Sequence, residues 1–115
     1  MEKFMLLFRG SDVYQPGQSP EAFQALKQRL LLWVGELSQK GVHVASEPLQ
    51  PAGKQVSGAE KTVTDGPFGE ARQVIGGCTI VQARDINEAV EIAKGCPILE
   101  SNAIIEVRPI QKVEM

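Results

Sequence analysis

The residues with the clearest capacity for chemistry lie in the segment TVTDGPFGE, residues 62–70. Asp65 is followed by Gly66, Pro67 and Phe68, so its carboxylate lies in a glycine-proline turn that an aromatic side chain can anchor. A carboxylate presented in this way can act as a general base or contact a ligand. It can equally accept backbone N–H groups and stabilise the turn itself. The segment is therefore a candidate site, with a purely structural turn as the alternative.

His43 is the only histidine of the chain, and an unperturbed imidazole titrates near neutral pH. In the alternating segment VHVAS (42–46), Val42 and Val44 point to one face of a strand and His43 to the other. We therefore expect His43 to leave the helix-covered face of the sheet and to point into a cleft or a dimer interface. There it would be a catalytic partner of Asp65. A hydrogen-bonded structural histidine is the alternative.

Arg9 and the cysteines are the remaining residues considered for a site. Arg9 ends the first predicted strand and is a candidate contact for an anionic ligand, with a solvated or ion-paired strand end as the alternative. Cys78 and Cys96 are the only cysteines, and neither belongs to a C-x-x-C pair. This pattern favours reduced thiols. We predict no metal site and no cofactor.

Composition narrows the class of protein. The chain has 115 residues, of which 43% are hydrophobic and 23% charged, values that predict one soluble globular domain over residues 1–115. A net charge of −2 gives no basic face for nucleic acid. No signal segment is visible, and no apolar run approaches the ~20 residues that span a bilayer. We predict a cytoplasmic protein without nucleic-acid or membrane partners.

Hydrophobic spacing predicts the elements of the first half of the chain. The apolar run FMLLF (4–8) is typical of a strand buried on both faces. Ser19 and Pro20 predict the start of a helix that ends near Lys40, with Gly41 after it. Leu31 and Leu32 lie off the apolar stripe of this helix and could contact a partner. The stripe itself consists of Phe23, Leu26, Leu30, Trp33 or Val34, and Leu37.

The second half of the chain begins with the strand at 42–46 and an irregular connection over 47–60. A hairpin arm at 61–64 leads into the DGPF turn. A strand at 73–81 contains Gly76-Gly77, a pair that marks a bulge or a close backbone approach. Asp85 and Glu88 form a capping box for a helix over 85–95, and 103–110 predicts a last strand.

The order of elements is strand–helix–strand, a connection with a hairpin arm, then strand–helix–strand. This order is typical of an α+β, ferredoxin-like split β-α-β sandwich, in which both helices cover one face of a mainly antiparallel sheet. The run FMLLF is apolar on both sides, so the other face of the sheet also needs cover. We therefore predict a homodimer in which the two sheets face each other.

The sequence resembles the DGPF branch of the YCII-related family. The resemblance is carried by TVTDGPFGE (62–70), by Gly76-Gly77, by ARDINEAVEIAKGCP (83–97) and by IEVRPI (105–110). The opening MEKFMLLFRG and the arrangement Trp33…Gly41…Leu49 fit the same pattern. The resemblance implies a bacterial protein with a dimeric α/β-barrel fold and a largely unassigned activity. It also implies a link to sigma factors of the extracytoplasmic-function type, beside whose genes many members are encoded.

Some relatives in this family have been proposed to be enzymes that use a His-Asp pair. The aspartate corresponds to Asp65, but Ala22 stands at the expected histidine position, and His43 lies elsewhere. Two functions follow, and whether the protein is an enzyme stays open. One is a dimer that binds a small molecule in a cleft beside the DGPF loop, with weak acid–base chemistry at Asp65. The alternative is a non-catalytic regulatory or interaction module linked to sigma-factor transcription.

Overall fold

The computed structural model describes residues 1–11, 19–50, 52–66 and 74–113. Two α-helices lie in these ranges, α1 (Pro20–Gln39) and α2 (Ile86–Lys94), and a 3₁₀ helix (Pro97–Ser101) follows α2. The strands are β1 (Glu2–Arg9), β2 (His43–Pro48), β3 (Lys54–Ser57), β4 (Thr62–Asp65), β5 (Ile75–Ala83) and β6 (Ile104–Pro109). Neither helix is both long and apolar enough to cross a membrane.

Four strands form an antiparallel sheet in the order β2-β5-β1-β6. The first strands of the two β-α-β units, β1 and β5, lie side by side in the centre, so the two units interleave. This confirms the predicted α+β class and the ferredoxin-like split β-α-β arrangement.

Local signals account for both helices. The Ser19 hydroxyl accepts a hydrogen bond from the backbone N–H of Ala22 at 3.1 Å, and Gly41 takes a φ of +74° beyond the end of α1. At α2 the Asp85 carboxylate accepts from the backbone N–H of Glu88 at 2.9 Å. These bounds confirm the predicted ends of both helices. The ends could be predicted because caps act over only a few residues.

The hydrophobic core lies between the helices and one face of the sheet. On β1, Phe4, Leu6 and Phe8 point to this face. Their partners on β5 are Val81, Thr79 and Gly77. The helices contribute Leu26, Trp33 and Leu37 from α1 and Ala89 and Ala93 from α2.

The opposite face of the sheet is covered by neither helix. Met5, Leu7 and Ile80 lie there as neighbouring half-buried side chains on the two central strands. This confirms that β1 is apolar on both sides. We call this surface the open face.

Strands β3 and β4 form a separate two-stranded arm. The prediction of an irregular connection over 47–60 is wrong, because β2 extends to Pro48 and Lys54–Ser57 pairs with β4. The turn of the arm uses Gly58 and Lys61, both with positive φ. The predicted hairpin arm at 61–64 is confirmed as β4. Strand β3 is short and exposed on both sides, so its hydrophobic alternation is too weak to reveal it.

Candidate functional site

A cavity of about 910 Å³ lies between α1 and the part of the sheet formed by β2 and β5. Its wall on α1 is mostly apolar and includes Leu26, Leu30, Trp33 and Val34. The wall on the sheet includes Phe8, Ser46, Gly77, Cys78 and Thr79, and Leu49 and Val74 lie at adjoining segments. The arrangement can take up a largely apolar small molecule.

The glycine pair of β5 helps to make room for this cavity. Gly76 and Gly77 line it without contributing side chains. At Gly77, strands β2 and β5 approach so closely that a Cβ atom added to the glycine would lie 2.9 Å from the Glu47 carbonyl oxygen. The β1–β5 register also shifts between Phe8 and Arg9, opposite this pair. The predicted bulge and close backbone approach are both confirmed.

A chain of polar side chains reaches the cavity wall from His43. The imidazole Nε2 of His43 lies 2.8 Å from the Ser46 hydroxyl, which lies 2.9 Å from the hydroxyl of Thr79. Ser46 and Thr79 line the cavity, whereas His43 does not. The imidazole of His43 is therefore connected to the cavity wall by its hydrogen bond with Ser46.

The position of His43 corrects the sequence-based expectation. The β2–β5 register shifts between His43 and Ala45, and His43 pairs with Val81, a core residue on the helix-covered face. The prediction that His43 leaves this face is therefore wrong. Without the shift, His43 and Ser46 would lie on opposite faces, because side chains alternate along a strand. Sequence reasoning missed Ser46 for the same reason.

Asp65 is not one of the residues hydrogen-bonded in series with His43, which are Ser46 and Thr79. It is the last residue of β4, with a side chain that is 79% exposed, and its Oδ1 lies 3.0 Å from the Lys54 ammonium. Gly66 follows, and its N–H donates to the Gly53 carbonyl. Asp65 is not among the described residues that line the cavity. Pro67 and Phe68, the other candidates from this segment, lie outside the described residues.

Arg9 takes part in an ion-pair network on the open face. Its Nη2 lies 3.2 Å from Glu106 Oε1, and Arg108 Nη1 lies 3.1 Å from the other oxygen of the same carboxylate. The Arg9 Nε is buried and has no hydrogen-bond partner within the described residues. The ion-paired alternative is therefore confirmed, and a ligand contact by Arg9 stays a prediction.

Residues 3–114 match the YCII-related domain. The chain belongs to the YCII-related domain family. Among solved structures it is similar to 5-chloro-2-hydroxyhydroquinone dehydrochlorinase (TftG) from Burkholderia phenoliruptrix AC1100, in complex with 2,5-dihydroxybenzoquinone. The two sequences are 16% identical over 90% of each chain, with a TM-score of 0.48. No curated protein matches the chain.

The two cysteines of this YCII-related domain occupy different environments. Both are free thiols, and Cys78 lines the cavity as a half-buried residue. Cys96 is 3% exposed, and burial raises the pKa of its thiol to about 11. Within the four described ranges, no three His, Cys, Asp or Glu side chains are grouped in a way that could hold a metal ion.

Proposed function

We propose that this YCII-related domain binds a small, largely apolar molecule in the cavity between α1 and strands β2 and β5. The observation that carries the proposal is the cavity itself, with its apolar wall and its two hydroxyl groups at Ser46 and Thr79. Its volume of about 910 Å³ falls in the range of small-molecule sites, roughly 300–1,000 Å³. A ring with one hydrogen-bonding substituent fits this chemistry, because the wall favours burial of the ring and the hydroxyls orient the substituent.

Trp33 provides a direct measurement of binding, since it is the only tryptophan and lines the cavity. 4-Nitroanisole is a suitable probe because its nitroaromatic ring quenches indole fluorescence. We expect saturable quenching of Trp33. Leu30→Phe adds volume to the cavity wall and should weaken binding by roughly tenfold, or about 1.4 kcal/mol. Leu32→Phe is the matched control, because Leu32 belongs to the same helix, is 70% exposed and does not line the cavity.

Quenching that is linear in probe concentration and equal in the unaltered protein, Leu30→Phe and Leu32→Phe would contradict binding in the cavity.

The protein acts as a homodimer of the dimeric α/β-barrel type, with the open faces of two copies in contact. Support comes from the half-buried apolar residues of that face, Met5, Leu7 and Ile80. The β3–β4 arm adds the exposed cross-strand pair Val56 and Val63. An isolated two-stranded hairpin is marginally stable in water, so a partner surface would stabilise the arm.

Sedimentation equilibrium tests the dimer. We expect a dimeric mass for the unaltered protein, a monomeric mass for Ile80→Glu on the open face, and a dimeric mass for Leu32→Glu on exposed α1. A buried carboxylate without a partner is too costly for the interface to retain. A monomeric mass for the unaltered protein at all concentrations would rule out the dimer.

Asp65 supplies weak acid–base chemistry to the bound molecule. Its support is the exposed carboxylate that the end of β4 presents immediately before Gly66. Asp65→Asn should reduce affinity for cationic 4-nitrobenzylamine relative to 4-nitroanisole. Lys54→Gln should raise this ratio, because Lys54 is the ion-pair partner of Asp65. Equal ratios in all three proteins would remove Asp65 from the site.

The alternative function is a non-catalytic regulatory or interaction module of the DGPF branch, linked to sigma-factor transcription. It rests alone on the gene neighbourhood that the resemblance to the DGPF branch implies. A pull-down against the sigma factor encoded next to the gene tests it, with binding in favour and its absence against. In both cases we place the protein in the cytoplasm without nucleic-acid or membrane partners, as the composition predicts.

A further inference from the structure

The hydroxyl of Ser46 is the junction between the cavity and the imidazole of His43. It lies within hydrogen-bond distance of His43 Nε2, at 2.8 Å, and of Thr79 Oγ1, at 2.9 Å. Ser46 and Thr79 line the cavity and His43 does not. A proton that leaves a ligand in the cavity can therefore reach His43 through Ser46.

The hydrogen-bonding capacity of Ser46 allows the direction that a relay requires. A hydroxyl has one donor and two acceptor positions. In that direction Thr79 donates to Ser46 and Ser46 donates to Nε2 of the neutral imidazole, over the observed distances of 2.9 Å and 2.8 Å. One acceptor position of Ser46 then remains for a donor in the cavity.

We propose that His43, Ser46 and Thr79 form a proton relay that deprotonates the acidic hydroxyl of a bound phenol or enol. The proposal rests on the proposed function, because it requires a ligand in the cavity. The ligand O–H gives its proton to Ser46 Oγ as the Ser46 proton passes to His43 Nε2. The products are the ligand oxyanion and an imidazolium, and Ser46 is regenerated. Only O–H and N–H bonds change, so no other reactant is needed.

The described neighbours of His43 leave its imidazole without an ion pair. β5 places uncharged Val81 opposite His43, and within the described residues His43 has no ion pair with α1 or with any strand. The nearest charged residues along the chain are Lys40 and Glu47. Thr79 positions Ser46 and is not itself a base. His43 is the terminal acceptor, and it acts on the ligand through Ser46.

The probe for the relay is 4-nitrophenol, which ionises in the same pH range as imidazole and whose anion absorbs at longer wavelength. 4-Nitroanisole is the matched probe, because its methyl ether has the same ring and no proton to give. Near pH 6, 4-nitrophenol bound to the unaltered protein should be more ionised than the free compound. In His43→Gln and Ser46→Ala this excess ionisation should disappear. The affinity for 4-nitrophenol relative to 4-nitroanisole should fall by about tenfold, equivalent to one pKa unit.

The unaltered protein gives a second measurement, which does not depend on the folding of any variant. His43 is the only histidine, so its ring resonances in an NMR spectrum are unambiguous. Saturating 4-nitrophenol should shift these resonances towards the imidazolium form, and 4-nitroanisole should not.

The outcomes separate the relay from the binding site. If both probes bind and the bound 4-nitrophenol is no more ionised than the free compound, with unchanged His43 resonances, the relay is wrong and the binding site stands. If neither probe binds the unaltered protein, the proposed small-molecule site is wrong, and the relay is wrong with it.

Discussion

The two helices cover the same face of the sheet in different ways. The α2 helix approaches through Ala89 and Ala93, which are 0% and 5% exposed, so its backbone lies close to the strands. The α1 helix makes its contacts through larger side chains, among them Leu26 and Trp33, and a cavity of about 910 Å³ remains between it and strands β2 and β5. Small side chains on α2 allow close packing in its half of the molecule, which we call the closed half. Larger side chains on α1 leave a cavity in the other half, which we call the cavity half.

This difference shows how one layer of helices can serve two purposes. The closed half contributes tight packing, whose disruption costs free energy of unfolding. The cavity half has apolar surface that only a ligand or solvent can contact. We therefore expect substitutions in the closed half to change stability, and substitutions around the cavity to change binding.

The largest test of the comparison makes the same deletion at the tightly packed centre of the sheet and at the cavity wall. Leu6→Ala removes a side chain that is 0% exposed at the centre of the sheet, and it should lower the free energy of unfolding by about 2–5 kcal/mol. Leu30→Ala should cost clearly less, about 1 kcal/mol, because Leu30 already borders the cavity. Urea unfolding of both variants measures the difference. Equal costs would mean that the α1 half is packed as tightly as the centre.

A second test changes glycine to alanine at the boundary of the cavity and on α1. At Gly77 the new Cβ would lie 2.9 Å from the Glu47 carbonyl oxygen and 3.2 Å from the Pro48 Cα. Both neighbours are backbone atoms, so Gly77→Ala should destabilise the protein by about 1–3 kcal/mol.

Gly35→Ala is the control for this test. A Cβ at Gly35 meets nothing within 4 Å, and the residue lies inside α1, so the substitution should stabilise the protein by about 0.5–1 kcal/mol. Thermal unfolding of the two variants should shift in opposite directions. A shift in the same direction would show that β2 and β5 tolerate the extra atom.

The smallest expected effect concerns the start of each helix. Hydrogen bonds from the Arg84 backbone N–H and guanidinium lower the pKa of Glu88. A lowered pKa in the folded state means that Glu88 stabilises the protein at neutral pH. This contribution is lost as the pH falls through that lowered pKa.

Glu88→Gln should therefore lower the melting temperature slightly at neutral pH, and the difference should disappear in acid. Glu21→Gln, in the first turn of α1, is the control, because Glu21 makes no side-chain hydrogen bond in the part of the chain described. A difference for Glu88→Gln that persists in acid would contradict the charge-based explanation.

The local elements of this fold could be predicted from the sequence because their signals lie within a few residues. Ser19, Pro20 and Gly41 define α1, and Asp85 with Glu88 defines the start of α2. The β3 strand could not be predicted, since its short exposed segment depends on pairing with β4.

The candidate site was less accessible to prediction. Asp65 stood out because of its unusual neighbours, yet its carboxylate pairs with Lys54 and does not line the cavity. His43 was identified as a candidate because it is a histidine, but the predicted orientation of its side chain was wrong. Ser46 gave no signal in the sequence, because a serine on a strand is ordinary until its neighbours in space are known.

The sequence by itself determined the order of the two helices and the four strands of the main sheet, the helix ends and the apolar character of β1 on both faces. These follow from caps and spacing along the chain. Only the tertiary structure decided which residues meet at the cavity. The shift in register between His43 and Ala45 depends on how β2 pairs with β5, two strands that are distant in sequence. That one shift turns His43 towards Ser46 and so connects the only imidazole to the cavity wall.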